Sequence, residues 1–149
     1  MSGEAAPLVL LLSGPNLNLL GQREPEIYGV ATLEDHVATA SAAATSAGLE
    51  LEHLQTNFEG ELVEAIHRAR GRCAAIVINP GSFTHYAWSI HDALAAFDGP
   101  IVELHISNPN AREPWRHTSV VAPVAAGTIT GFGGAGYRLA IEAVAGLIS

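Results

Sequence analysis

Five short apolar runs space out the chain, and turn residues bound each of them. Pro7–Ser13 (PLVLLLS) is continuous and predicts a strand buried on both faces. Leu49–Gln55 alternates apolar with polar and predicts a second strand. Ala74–Asn79 (AAIVIN) and Ile101–His105 (IVELH) predict a third and a fourth, and Thr128–Thr130 falls in a short fifth. The intervening segments read as helices. Thr32, with Asp35 in an acidic first turn, opens an alanine-rich helix to Ala47 that Gly48 closes. Asn57 or Gly60 precedes a second helix, in which Leu62, Ile66 and Ala69 fall on one face before Gly71 ends it. Thr84 or His85 opens a third that runs through Phe97 to the break at Gly99–Pro100. The last spans Gly134–Ile148, with Tyr137, Ile141, Val144 and Ile148 on one face.

Strands alternating with helices predict parallel pairing with crossover connections. The expected fold class is α/β, a flavodoxin-like doubly wound sheet of five parallel strands in the order 2-1-3-4-5, forming one domain over 1–149. Met1–Ala6 reads as a frayed tail. Gly14–Tyr28, with its prolines and glycines and no helical period, is long for a compact domain, and 14–29 reads as an active-site lid. Ligands of such sheets sit beyond the carboxyl ends of the strands, near the reversal of strand order. Ser13–Asn18, Asn79–His85 and His105–Asn108 are therefore expected to line a site.

Composition narrows the chemistry. All seven basic residues are arginines, Arg23, Arg68, Arg70, Arg72, Arg112, Arg116 and Arg138. Without lysine there is no Schiff-base catalysis and no Walker phosphate loop. A net charge of −8 argues against nucleic-acid partners. Charged residues are 15% of the chain, against roughly 25% in an average soluble protein, too few to cover a small domain, which points to a homo-oligomer. An alanine- and glycine-rich monomer surface is the competing reading. Cys73 heads an apolar run and reads as a buried thiol. No basic segment precedes Leu8–Leu12, and no run approaches the ~20 apolar residues of a membrane span, so a cytoplasmic location without membrane contact is expected.

The strand ends supply Asn16, Asn18, Asn79, Ser82, Thr84, His85, His105, Ser107 and Asn108, a neutral set suited to a small hydroxylated ligand. Arg23 and Arg112 in the flanking loops favour an anion. Glu103 and His105 alternate onto one side of the fourth strand, where a carboxylate fixes the tautomer of an imidazole. Tyr28 is either a base, its phenolate held by Arg23, or a ring packed under the loop beside an Arg23–Glu24 pair. Asn16 either holds a water or enolate oxygen, or caps its own turn. His36, His53, His67 and His91 read as surface positions in element interiors, and no histidine spacing matches a metal site. Gly131–Gly136 fits GxGxxG, but its glycines read as a tight turn and a close helix–sheet contact.

Four blocks carry a resemblance. They are Gly14–Gly29 (GPNLNLLGQREPEIYG), Leu54–Leu62 (LQTNFEGEL), Ile78–His85 (INPGSFTH), and Glu103–Asn108 (ELHISN) with Arg112 and Glu113. Through them the chain resembles the type II 3-dehydroquinate dehydratases over nearly its whole length. The resemblance implies dehydration of 3-dehydroquinate to 3-dehydroshikimate through an enolate, with no metal or cofactor. It implies Tyr28 as base, Arg23 favouring its deprotonated form, Asn16 positioning a water at the enolate, and His105, held by Glu103, as acid. It assigns substrate binding to Asn79, His85 and Arg112, and carboxylate binding to Ile106 and Ser107. It places Asp92 in the site of a neighbouring subunit, within a dodecamer built from trimers. Ser13, Phe58, His91, Pro109, Asn110 and Trp115 depart from the usual pattern and bear on subunit contacts and loop rigidity. Two other readings remain, a catalytically weak relative and a flavodoxin-like binding module for a shikimate-like anion. A receiver domain would need an aspartate after the third strand and a late lysine, and the chain has Asn79 there and no lysine.

Overall fold

The computed structural model describes residues 5–149. Most of the expected Met1–Ala6 tail lies outside the described residues, and Ala5 and Ala6 adopt no regular structure. The strands are β1 (Leu8–Ser13), β2 (Glu50–Gln55), β3 (Ala75–Asn79), β4 (Ile101–His105) and β5 (Gly127–Thr130). They pair in parallel in the order β2-β1-β3-β4-β5, as expected from the sequence. The helices are α1 (Pro25–Tyr28), α2 (Leu33–Ser46), α3 (Glu59–Ala69), α4 (Trp88–Ala95) and α5 (Ala135–Ile148).

Both faces of the sheet are covered. Leu10, Leu12, Ile76 and Ile78 pack with Leu62 and Ile66 of α3 and Ile90 and Leu94 of α4. Val9, Leu11, Val77, Val102 and Leu104 pack with Ala40 and Ala44 of α2 and Tyr137, Ile141 and Val144 of α5. Alternate residues of each central strand thus enter opposite cores, which is why β1 and β3 read as unbroken apolar runs. The same alternation points Glu103 and His105 of β4 toward the α3/α4 side. Register then sets Ser13 beside Asn79, Ile78 beside Glu103, and His105 beside Thr130.

Local sequence sets most element ends. Thr32 and Asp35 form a capping box, each side chain bonded to the other's backbone N–H. The Gly131–Gly136 turn behaves as expected. Gly136 lies so close to the sheet that a Cβ there would come within 2.8 Å of Leu104. Gly14 brings the turns after β1 and β3 together, since a Cβ on it would sit 2.4 Å from the Pro80 carbonyl oxygen.

Three expectations need correction. The third helix does not begin at Thr84 or His85. Gly81–His85 is a 3-10 turn, and α4 runs Trp88–Ala95. The Thr84 hydroxyl is bound to Glu103 of β4 and His85 Nδ1 to the carbonyl of Thr118 in the irregular segment 118–121, the strap, ties that hold both side chains off the helix. Of the two starts expected for the second helix, Asn57 does precede α3, whereas Gly60 lies inside its first turn, and Thr56 Oγ1 accepts the N–H of Phe58 at the cap. Of the four histidines expected at the surface, only His67 is exposed. His36 is buried and stacks on Tyr137 at 4.8 Å, in space left by Gly134. His53 and His91 are half-buried, bonded to Ser13 Oγ and the Val120 carbonyl respectively.

Candidate active site

A cleft opens at the carboxyl ends of β1, β3 and β4, where the strand order reverses. From β1 come Pro15 and Asn16. Asn16 has a left-handed backbone (φ 67°), which asparagine tolerates better than most residues. Its N–H donates to Asn57 Oδ1 (2.9 Å), which also accepts from Gln55 Nε2 (3.2 Å). From β3 comes Asn79, which is buried. Its Oδ1 accepts the Gly81 N–H (3.2 Å) and its Nδ2 faces the Tyr137 hydroxyl (3.4 Å), leaving one proton and one lone pair for the cleft. Burial raises the Tyr137 phenol to about 12, with the Asn79 contact opposing, so that phenol stays protonated.

From β4 come His105, Ile106 and Ser107. His105 Nε2 donates to Glu103 Oε2 (2.6 Å). Glu103 is 1% exposed and lies behind His105, outside the lining of the cleft. Burial pushes its carboxyl up. The hydrogen bond and charge of His105, then the Thr84 and Ser119 hydroxyls, outweigh that push and hold it below the ordinary glutamate range. Glu103 is therefore a carboxylate, and the His105 proton facing it leaves Nδ1 free for the cleft.

The loop 14–29 contributes Arg23 and Tyr28. It contains a 3-10 turn at Leu17–Leu19 as well as α1. The Tyr28 ring is half-buried beside an Arg23–Glu24 pair, as one of its two readings expected, and its hydroxyl faces a cation other than Arg23. The cation on that oxygen is Arg112, whose Nη1 donates to Tyr28 Oη (2.7 Å) and to Ser107 Oγ (3.2 Å). The Arg23 guanidinium lies over the Tyr28 ring, 4.7 Å from its centre, and pairs with Glu24 at 3.4 Å.

Arg116 is a third cation in the lining, and the sequence reading passed over it. It lies over Trp115 and pairs with Glu113 (3.0 Å). Trp115 in turn sets its edge against His85 at 5.3 Å. Burial lowers the His85 imidazole, against the opposing Thr118 carbonyl, so it stays neutral near pH 7. Ser119 was also passed over, in a stretch with no periodic signal. Its hydroxyl reaches Glu103 at 2.9 Å.

The structure thus brings Asn16, Arg23, Tyr28, Asn79, His85, His105, Ile106, Ser107 and Arg112 around one cleft, with Glu103 directly behind. Asp92 is exposed on α4 and does not line it. Three arginines on the wall favour an anionic ligand, and amides and hydroxyls fit its polar groups. Among the described residues, no cluster of three or more His, Cys, Asp or Glu has metal-binding geometry, and no helix is long and apolar enough to cross a membrane.

Comparison with known proteins gives a consistent result. A family model described as class II dehydroquinase matches residues 7–145. The chain is 53% identical over 142 residues to 3-dehydroquinate dehydratase 2 of Pseudomonas putida, covering 95% of each chain. It is 56% identical over 137 residues to a catabolic 3-dehydroquinase of Aspergillus clavatus, covering 92% of this chain and 91% of the relative. Among solved structures, the type II dehydroquinase of Propionibacterium acnes superposes with a TM-score of 0.91 at 42% identity, over 97% of this chain and 99% of that one.

Proposed function

The chain belongs to the class II dehydroquinase family, and from that membership and the cleft geometry we propose that it dehydrates 3-dehydroquinate to 3-dehydroshikimate through an enolate, using side chains alone. The observation that carries this reading is that Tyr28 and His105 line one cleft, each with a charged partner. Tyr28 has a guanidinium on its oxygen, and His105 has a buried carboxylate at its back.

The reaction removes a proton beside the ketone and expels a hydroxyl two carbons away. Tyr28 takes the proton as a phenolate. Arg112 stabilises that phenolate by direct donation, and Arg23 adds its charge from over the ring. Electron density moves to the ketone oxygen. Asn16, on its fixed left-handed turn, holds a water against the resulting enolate. His105 in its imidazolium form, balanced by Glu103, gives its Nδ1 proton to the departing hydroxyl, which leaves as water. The proton on Tyr28 then returns to His105 through solvent, and the enzyme is reset.

Asn79 and His85 bind ring hydroxyls, while Ile106 N–H and Ser107 Oγ bind the carboxylate. Arg112 serves substrate and base together, because it already spans Tyr28 and Ser107. Residues 14–29 close over the ligand as a lid. The chain assembles as a dodecamer, a tetramer of trimers, in the cytoplasm, and Asp92 serves a neighbouring site. Support for assembly comes from the low charge content and from Tyr86 and Trp88, which are exposed near Asp92 on α4.

Purified protein mixed with 3-dehydroquinate should develop the absorbance of a conjugated enone. Protein that is folded yet gives no such signal would overturn the reading.

A further inference from the structure

The mechanism leaves one buried cluster unused. Thr84, in the 3-10 turn after β3, is 1% exposed, and its Oγ1 donates to Glu103 Oε2 at 2.6 Å. Ser119 reaches both Glu103 oxygens, at 2.9 and 3.0 Å, and lies 2.7 Å from Thr84 Oγ1. It also accepts two backbone N–H groups, from Val121 (3.1 Å) and Ala122 (3.0 Å).

Counting protons fixes the direction of this cluster. A hydroxyl has one proton and two lone pairs. Both lone pairs of Ser119 are taken by backbone N–H groups, so its proton must be given away. It goes either to Glu103 directly or to Thr84, which donates to Glu103 in its turn. In both arrangements the carboxylate is the final acceptor. A proton on Glu103 can be accommodated only along the bond to His105, and there it would cancel the negative charge that the two donated hydroxyl protons stabilise.

We propose that Thr84 and Ser119 are positioning residues of the reaction, keeping Glu103 ionised and accepting so that the mobile proton resides on His105. The inference rests on the reading of His105 as the acid and adds the device that keeps its proton there. Without the hydroxyls, Glu103 would gain proton affinity and draw the Nε2 proton, leaving a neutral imidazole whose Nδ1 proton is far less acidic than that of the imidazolium. The cluster also explains why a segment with no helical or strand period is tied down so closely. Val120 N–H bonds the Thr84 carbonyl (2.7 Å), and His85 and His91 hold the carbonyls of Thr118 and Val120. The strap delivers one hydroxyl to one carboxylate.

Thr84→Val is the test, because it removes the hydroxyl with little change of shape, and Thr84→Ser is its conservative partner. Hydrogen bonds to charged groups are worth about tenfold to a hundredfold in rate. Thr84→Val should lower kcat by about that range with KM within about twofold, and raise the low-pH limb of the kcat profile by about one unit. Thr84→Ser should restore both. An unshifted limb in folded Thr84→Val, or a Thr84→Ser as impaired as Thr84→Val, would overturn the proposal. Should Thr84→Val fail to fold, Thr84→Ala carries the same comparison.

Spectra of histidine-15N-labelled protein, without substrate, give a reading independent of turnover. The His105 Nε2–H resonance, assigned by its loss in His105→Asn, should move in Thr84→Val and return in Thr84→Ser. A resonance that stays fixed in both overturns the proposal. If wild-type protein shows no turnover of 3-dehydroquinate, the functional reading fails, and these spectra still decide the role of the hydroxyls.

Discussion

Arg112 Nη1 donates to Tyr28 Oη at 2.7 Å across 84 residues of sequence, joining the lid to the loop after β4. The same nitrogen reaches Ser107 Oγ, so one guanidinium supports both the proposed base and the proposed carboxylate site. Arg112→Ala should therefore lower kcat and raise KM together, with kcat/KM falling about a hundredfold or more, since two charge-assisted contacts are lost. Arg112→Lys should recover only part of this: both bonds come from the single nitrogen Nη1, which an ammonium can replace, but the planar guanidinium 5.3 Å from the Tyr28 ring centre is lost. Steady-state kinetics of the two variants check both statements.

Tyr28→Phe removes only the hydroxyl. Loss of a general base costs typically about 10²–10⁴-fold. The effect should fall on kcat, while calorimetric affinity for an unreactive substrate analogue changes by only a few fold. A variant that keeps most of its rate would assign the base elsewhere.

His36 links pH to stability. Burial lowers its imidazole below the ordinary 6.5, against a smaller opposing pull from Asp35. In the unfolded chain it takes up a proton as pH falls through about 6.5, and in the folded chain it resists. The unfolded state thus binds more protons in that window, and stability declines as the solution is acidified. His53 and His85 are lowered by burial as well and add to the same slope. His36→Phe keeps an aromatic ring against Tyr137, and should flatten the fall in urea midpoint below pH 6.5 relative to wild type.

Gly14→Ala should be poorly tolerated. Its Cβ would meet backbone at Pro80, and backbone cannot swing aside as a side chain would. The turns carrying Asn16 and Gly81 would separate, with a stability loss of about 2 kcal/mol or more and a drop in kcat larger than stability alone explains. Thermal melts together with kinetics at a temperature where the variant is folded distinguish the two effects.

The three central strands were legible because their residues are buried on both faces, so hydrophobic runs and strand limits coincide, whereas the edge strand β2, with no buried residue, was legible through its alternation. The fourth strand was read as Ile101–His105 and is found so. The cleft was legible for a related reason. Parallel order places the cleft at the carboxyl ends, and of the polar residues expected there Asn16, Asn79, Ser82, His85, His105 and Ser107 line it, while Ser13, Asn18, Thr84 and Asn108 do not. What escaped depends on approaches that no local pattern encodes. Ser119 meets Glu103 only after the strap folds over the 3-10 turn at Thr84. His36 is buried because a glycine 98 positions away, Gly134, leaves room for its ring. Arg116 lines the cleft only because the 3-10 turn at Pro114–His117 brings it round.

The two proposed proton-transfer groups, Tyr28 and His105, sit on parts of the molecule with unequal hold. All five residues of β4 are buried between β3 and β5, whereas α1 is four residues long and buries none of them. Local unfolding therefore reaches the Tyr28 segment far more often than the His105 strand, and amide hydrogens around Tyr28 exchange with solvent long before those of β4. The base can be lost to fluctuation and regained while the acid and its carboxylate stay assembled, so inactivation by heat or denaturant begins at the lid, before the sheet gives way.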